Sequence, residues 1–194
     1  MTFVTVLVRQ GHPGPRARPY SSLAKKVEDA TAHQREDGIP WPVLADDLDG
    51  RVHRRYGGLA DPTFLIDRDG RVAFYQTITH APTLHAALVA LRGQGGRGVV
   101  RGGLDQRPHV LPVIVGGWPA LRRGLPQSVV DLETALPTTA LLPWLGYQLR
   151  PVLRPIALRD TPLPWVARVA VAGTLFAAAA VALTALRNTQ RQNA

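Results

Sequence analysis

The sequence predicts an α/β domain, followed by a helical connector and an apolar C-terminal segment. Over residues 1–92, short β-branched and apolar runs alternate with amphipathic stretches, which is the pattern of α/β folds. Glycine and proline become concentrated after residue 92, so the globular part is expected to come first. The stretch from Val169 to Leu186 holds no charged residue.

The first strand and the first helix are predicted from local patterns. Residues 3–8 are apolar and β-branched, as in a buried strand. After a proline-rich loop, one of the serines at 21 and 22 is placed to cap a helix that runs to about residue 36. Helical spacing puts Leu23, Val27 and either Ala30 or Ala24 on one face of this helix. The charged residues expected largely on the other face are Lys25, Lys26, Glu28 and Asp29.

Five further elements are expected before residue 92. A short strand at 42–45, a short helix at 49–55, strands at 64–66 and 71–75, and a helix from Ala81 to about Leu91 complete the order β-α-β-α-β-β-α. The strands at 64–66 and 71–75 are joined by Asp67-Arg-Asp-Gly70, and Asp-Gly supplies the positive φ that a tight turn needs. Ala81-Pro82-Thr83 is typical of a helix start.

Three segments, in order along the chain, carry a resemblance to known proteins. Val6-Leu-Val-Arg-Gln-Gly-His-Pro13 resembles the strand-Glu-Ala-His-Pro element of iodothyronine deiodinase-like proteins, with Gln-Gly in place of Glu-Ala. Trp41-Pro-Val-Leu-Ala-Asp46, followed by Val52-His-Arg-Arg-Tyr-Gly57, resembles the peroxiredoxin and redoxin pattern. Gly57 to Val72 resembles the thioredoxin-superfamily segment in which a loop meets a cis-proline, a strand and a tight turn. The resemblance covers residues 2–92.

The resemblance implies a partial thioredoxin-like fold over residues 1–92, without the strand and helix that carry the redox nucleophile. That strand would lie between those at Phe3 and Phe64, so either the true start lies upstream or another polypeptide completes the sheet. By resemblance, Pro62 is a cis-proline, and His12 is a proton donor or orienting group; the alternative for His12 is a loop histidine bonded to nearby backbone. The substrate-groove residues that the resemblance implies are Gln10, His12, Asp61, Pro62 and Thr63.

Two functions follow as expectations. In the first, the complete form performs thiol-dependent reduction, although this chain contains no cysteine and therefore no redox residue. In the second, the chain is a non-catalytic thioredoxin-like binding module. Both hypotheses place the protein at a membrane, because the apolar C-terminal segment is expected to anchor it.

The C-terminal half is expected to anchor the protein. A Gly/Arg linker and a proline-broken helical connector cover residues 93–163, with helical pieces at 128–136 and 139–149. Residues 164–187 are predicted to form a transmembrane helix, since about 20 apolar residues span a bilayer core, and residues 188–194 form a tail. Arginines are denser before the helix than after it, and the N-terminus reads as a strand and not as a signal peptide, so the globular part is expected to be cytoplasmic.

The net charge of +9 admits nucleic acid or anionic lipid as a partner. The arginines from Arg150 to Arg168 lie beside the expected anchor, so membrane lipid is the expected partner. The Arg97–Gly103 stretch has no interleaved aromatic residue to stack on bases, so nucleic acid is not expected as a partner, and a basic nucleic-acid binder is kept only as a third hypothesis. A protein or second chain that completes the sheet is a further candidate partner. No cofactor and no metal are expected, because no metal-ligand spacing is found among His53, His80, His85 and His109.

Overall fold

A computed structural model describes residues 1–170 and Gly173. The elements, in chain order, are β1 (Thr5–Leu7), α1 (Leu23–Glu36), β2 (Val43–Ala45), α2 (Arg51–Arg55), β3 (Thr63–Ile66), β4 (Val72–Gln76), α3 (Ala81–Gly93), β5 (Leu104–Asp105), α4 (Val110–Gly116), α5 (Trp118–Arg123), α6 (Gln127–Ala135), α7 (Leu141–Gln148) and α8 (Arg150–Ala157). Residues 165–170 are also helical. The order of strands and helices predicted for residues 1–92 is confirmed.

The five strands form two separate small sheets. β1 pairs in parallel with β2, whereas β3 pairs antiparallel with β4, which in turn pairs in parallel with β5. The prediction of one partial thioredoxin-like sheet is therefore corrected to a mixed α/β arrangement of two sheets. The physical reason is the lack of a strand that bridges them: no ladder of hydrogen bonds joins β1 to β3 in the described part of the chain.

Local capping and turn chemistry explain the element boundaries. Ser22 caps α1, because its hydroxyl accepts a hydrogen bond from the Lys25 backbone N–H at 3.2 Å. In the turn between β3 and β4, the buried Asp67 carboxylate accepts from the backbone N–H groups of Asp69 and Arg71, both at 2.9 Å. Gly70 has a φ of +76°, as the Asp-Gly signal predicts.

The buried face of helix α1 matches the predicted one only at Ala30. Leu23 and Val27 are about half exposed, whereas Lys26 is 1% exposed and Ala30 is 2% exposed. Spacing alone identified an apolar stripe, but α1 packs on β2 with the neighbouring stripe. The assignment of Lys26 to the solvent-facing side is therefore wrong.

The buried core lies between α3 and the β3-β4-β5 sheet. Its members are Ala73, Phe74, Ala87, Leu91 and Val100, with Leu65 and Leu84 packed against them. The glycine- and arginine-rich segment after α3 is fixed to this sheet, because Val100 N–H donates to the Ala73 carbonyl at 2.9 Å and Arg68 N–H donates to Gly96 at 3.0 Å. The segment expected to be a linker thus covers one side of the core.

The second half is a cluster of short helices. α4 packs against α7 and α8, with Val115 of α4 fully buried. α4 and α7 approach most closely where Gly146 meets Ile114, because a Cβ atom built on Gly146 would lie 2.5 Å from Ile114 Cγ2. The helical pieces predicted at 128–136 and 139–149 are confirmed as α6 and α7.

The predicted C-terminal anchor is contradicted. Across residues 1–170 and Gly173, the structure contains no helix that combines the length and the apolar character needed to cross a membrane. Residues 171–172 and 174–194, which include most of the predicted helix at 164–187 and all of the tail, lie outside the described residues. The transmembrane helix and the single-pass membrane localisation inferred from it are therefore corrected.

Candidate functional site

His12 is held by the helical half of the chain. Its Nδ1–H donates to the Asp131 carboxylate of α6 at 3.0 Å, and the Gln127 amide donates to the same carboxylate at 2.6 Å. The hydrogen bonds from His12 and Gln127 lower the pKa of Asp131 from its usual value. The structure therefore gives His12 a side-chain carboxylate partner, which neither of the two expected roles had included.

Asp61, Pro62 and Thr63 form a separate cluster at the start of β3. Among the described residues the cis peptide bond is Leu125–Pro126, so the Asp61–Pro62 bond is trans and the cis-proline prediction is wrong. Thr79 holds the cluster together, because its hydroxyl lies 2.7 Å from that of Thr63 and donates to the Asp61 carboxylate at 3.0 Å. Desolvation raises the pKa of Asp61, and the Thr79 hydrogen bonds oppose that shift.

Gln10 lies in a cleft of 390 Å³ at the C-terminal end of β1, called here the β1 cleft. The cleft is lined by Val8, Arg9, Gln10, Gly11, Pro13, Pro19, Tyr20, Lys26 and Leu48. No hydrogen bond or ion pair among the described residues joins Gln10 or His12 to the cluster at 61–63. The predicted groove residues at 10 and 12 therefore have no direct hydrogen-bonded connection to those at 61–63 among the described residues.

Lys26 is the most unusual group in the β1 cleft. Lys26 is 1% exposed. Its Nζ donates a hydrogen bond to the Asp47 carbonyl at 2.9 Å and lies 5.7 Å from the centroid of the Tyr20 ring. No carboxylate in the described part of the chain lies within ion-pair distance of Nζ. Desolvation, followed by the nearby Asp29 carboxylate, raises the pKa of Tyr20. A buried ammonium group next to a cleft is a candidate binding group that the sequence pattern did not reveal.

β1 has an open edge. The Thr5 N–H donates to the Pro42 carbonyl, and the Leu7 carbonyl accepts from the Asp46 N–H, both at 3.0 Å. The backbone N–H and carbonyl groups of Thr5 and Leu7 therefore point toward β2. Successive residues of a strand direct their backbone groups to opposite sides, so the N–H and the carbonyl of Val6 point away from β2. No described residue hydrogen-bonds to these Val6 groups.

β3 has an open edge of the same kind. The N–H of Tyr75 in β4 donates to the Gly103 carbonyl at 2.8 Å, which lies on the β5 side of β4. Phe64 of β3 is opposite Tyr75 in the antiparallel pair, so these two residues form no backbone hydrogen bond with each other. The Phe64 N–H and carbonyl therefore point away from β4, and no described residue pairs with them. The Phe64 ring is held between Tyr75, with ring centroids 4.6 Å apart, and Tyr56, at 4.8 Å.

A cluster of polar side chains surrounds the buried Asp105 where α3 meets β5. Asp105 accepts from His109 Nε2 at 2.7 Å and from Arg107 Nε at 2.7 Å, and the His109 ring stacks on His80 with centroids 3.8 Å apart. His80 Nδ1 lies 2.7 Å from the Thr83 hydroxyl. Burial, and then the neighbouring His109, lowers the pKa of His80. The two rings meet face to face, so the pairs Asp105–His109 and His80–Thr83 are not joined in a hydrogen-bonded relay.

The sequence signal for this cluster is weak, because His80 and His109 come from separate elements with no ligand spacing. In residues 1–170 and at Gly173, no group of three or more His, Cys, Asp or Glu residues is arranged to hold a metal ion.

Comparison of the chain with family models, with curated proteins and with solved structures finds no match. The functional argument therefore depends on the geometry of the chain itself.

Proposed function

We propose that this chain is a protein-binding module whose open strand edges take up an extended segment of a partner polypeptide. The pair of edges at Val6 and Phe64 carries the proposal, because described residues leave the backbone groups there without hydrogen bonds. Unpaired edges are ready templates for another strand. A peptide that adds to such an edge gains main-chain hydrogen bonds, and alternate side chains of the peptide provide specificity.

The position of the added strand follows from the resemblance to the thioredoxin superfamily, which stays a prediction. That resemblance would place one strand between β1 and β3, where it would pair with Val6 on one side and with Phe64 on the other. The proposed partner supplies this strand in trans. Thiol-dependent reduction also stays a prediction, and no group in these 194 residues is a thiol.

The composition near the edges indicates the chemistry of the partner segment. Phe3 and Val4, which lead into β1, are 39% and 50% exposed, so an apolar, β-branched segment would cover them. The chain carries a formal charge of +9, which favours acidic residues at the ends of the segment. We therefore expect a strand of alternating β-branched residues with acidic flanks.

The test uses a synthetic peptide of about eight alternating valines and threonines, a typical strand length, flanked by glutamates. We expect saturable binding to the full chain, and a Val6→Pro variant to bind roughly tenfold more weakly. Proline removes the one outward N–H and obstructs the edge, while the β1–β2 hydrogen bonds of Thr5 and Leu7 are kept. Isothermal titration calorimetry measures the affinity.

Val6→Thr is the matched control, since threonine keeps the N–H and the β-branched shape. Its affinity for the peptide should match that of the wild type within about twofold. Equal binding by Val6→Pro and Val6→Thr, with both variants folded by circular dichroism, would rule out pairing at β1. Amide hydrogen exchange tests the second edge: the Val6 and Phe64 amides should both become protected on peptide addition, and an unprotected Phe64 amide would exclude insertion between the two strands.

A further inference from the structure

The β1 cleft contains a buried positive charge without a negative partner. Lys26 is 1% exposed, and of its three N–H donors one is used by the Asp47 carbonyl at 2.9 Å. Buried charges in proteins are normally paired, because removal of an ion from water is costly. The face of the Tyr20 ring, 5.7 Å from Nζ, offsets part of that cost but accepts no N–H hydrogen bond of normal strength.

The adjacent residue shows what a satisfied lysine looks like in this helix. Lys25 forms ion pairs with Asp29 at 2.8 Å and with Glu28 at 3.2 Å on the surface of α1. Lys26, one position further, has no carboxylate within ion-pair distance in the described part of the chain. The missing counter-charge is therefore a property of the Lys26 environment and not of the helix as a whole.

The walls of the β1 cleft also lack negative charge. None of its lining residues is acidic, and Arg9 adds a second cation whose side chain forms no ion pair with a described residue. The Gln10 amide likewise makes no hydrogen bond with a described residue. Two carboxylates on the flanking segments have partners of their own. Asp46 accepts from the N–H groups of Asp47, Val52 and His53, and Asp29 forms an ion pair with Lys25 at 2.8 Å.

We infer that the β1 cleft binds a small ligand bearing a phosphate or a carboxylate, with Lys26 and Arg9 as the cationic contacts. Lys26 supplies two remaining N–H donors, Arg9 supplies a guanidinium that suits planar or tetrahedral oxyanions, and Gln10 supplies an uncharged donor. The volume of 390 Å³ is within the usual range for small-molecule sites, roughly 300–1,000 Å³. This site is independent of the open strand edges proposed above.

The test titrates the full chain with inorganic phosphate and, separately, with acetate, at ionic strength matched with sodium chloride. Saturable binding of at least one anion is expected, and Lys26→Met should weaken it roughly tenfold to a hundredfold, the worth of a charge-assisted hydrogen bond. Met has nearly the length of the lysine stem and removes only the charge and the hydrogen bond to the Asp47 carbonyl. Thermal unfolding gives a second readout, because at equal concentration a bound anion raises the melting temperature of the wild type more than that of Lys26→Met.

Lys25→Met is the matched control, because it removes the neighbouring exposed charge and leaves the β1 cleft intact. Its affinity should equal that of the wild type. Equal weakening by Lys25→Met and Lys26→Met would show diffuse attraction to a basic surface and would overturn the site, as would the absence of saturable binding by both anions. If Lys26→Met does not fold, Arg9→Ala replaces it, and unchanged binding by that variant would equally overturn the proposal. The anion that binds more tightly identifies the ligand class.

Discussion

Gly146→Ala is expected to lower the free energy of unfolding by about 3 kcal/mol, the upper end of the usual cost of overpacking. A Cβ atom at this position would lie 2.5 Å from Ile114 Cγ2 and 2.7 Å from the Ile114 carbonyl carbon, and closer still to the carbonyl oxygen. The side-chain atom could rotate away, but the backbone atoms can move only if α4 shifts relative to α7. The higher helix propensity of alanine, about 1 kcal/mol, is too small to compensate.

Thermal unfolding measures this effect. For a chain of this size, 1 kcal/mol corresponds to roughly 2–4 °C, so the melting temperature of Gly146→Ala should fall by about 6–12 °C. Gly93→Ala is the control, because Gly93 ends α3 with no atom within 4 Å of the added Cβ. That variant should unfold within about 0.5 kcal/mol of the wild type or be slightly more stable. Similar melting temperatures for the two variants would contradict the close approach of α4 and α7.

The sequence predicts the parts of this fold that short-range chemistry decides. Ser22 caps α1 through an atom three residues away, and the turn at Asp67–Gly70 is fixed by hydrogen bonds within four residues. These interactions depend on neighbours in the chain, so the pattern of residues reveals them. Element order over residues 1–92 follows from the same local signals.

Long-range packing decides what the sequence did not predict. Lys26 is buried because α1 meets β2 and the β1 cleft with a stripe that helical spacing alone assigned to solvent. His12 is bonded to Asp131 of α6, far along the chain, so no local motif could pair them. The separation of the two sheets also depends on which strands pair with each other, and those pairings join residues that are distant in the sequence. The candidate sites are therefore built from contacts that a linear pattern does not encode.

Asp105→Ala is expected to lower the free energy of unfolding by about 2–3 kcal/mol near neutral pH. The Asp105 side chain is 4% exposed and accepts from His109 Nε2 and Arg107 Nε, both at 2.7 Å, and from the Arg107 backbone N–H at 3.2 Å. Its removal leaves the His109 ring, which is 10% exposed, without its partner. The Arg107 side chain is 70% exposed and can return to water, so the loss comes mainly from His109 and from the backbone.

The pH dependence of stability shows whether Asp105 stabilises the fold as an ionised carboxylate or only through packing. Burial alone would raise the pKa of Asp105, but the hydrogen bonds from Arg107 and His109 hold it well below its usual range. The pKa of an aspartate in the unfolded chain is about 3.9. At pH values between the folded and the unfolded pKa, the unfolded chain therefore binds more protons at this position than the folded chain. The stabilisation by Asp105 is thus fully present above the unfolded pKa and is lost as the pH falls toward the folded pKa.

Urea unfolding at several pH values from neutral to acid therefore gives a specific expectation: the stability difference between wild type and Asp105→Ala should be largest at neutral pH and should shrink below about pH 4. Asp69→Ala is the control, because Asp69 pairs with Arg97 on the surface, where both side chains are 44–66% exposed. Exposed pairs of this kind contribute about 0–1 kcal/mol, so that variant should differ little from the wild type. A pH-independent loss in Asp105→Ala would mean that the carboxylate acts through packing, whereas a shrinking loss identifies its ionised form as the stabilising group at the junction of α3 and β5.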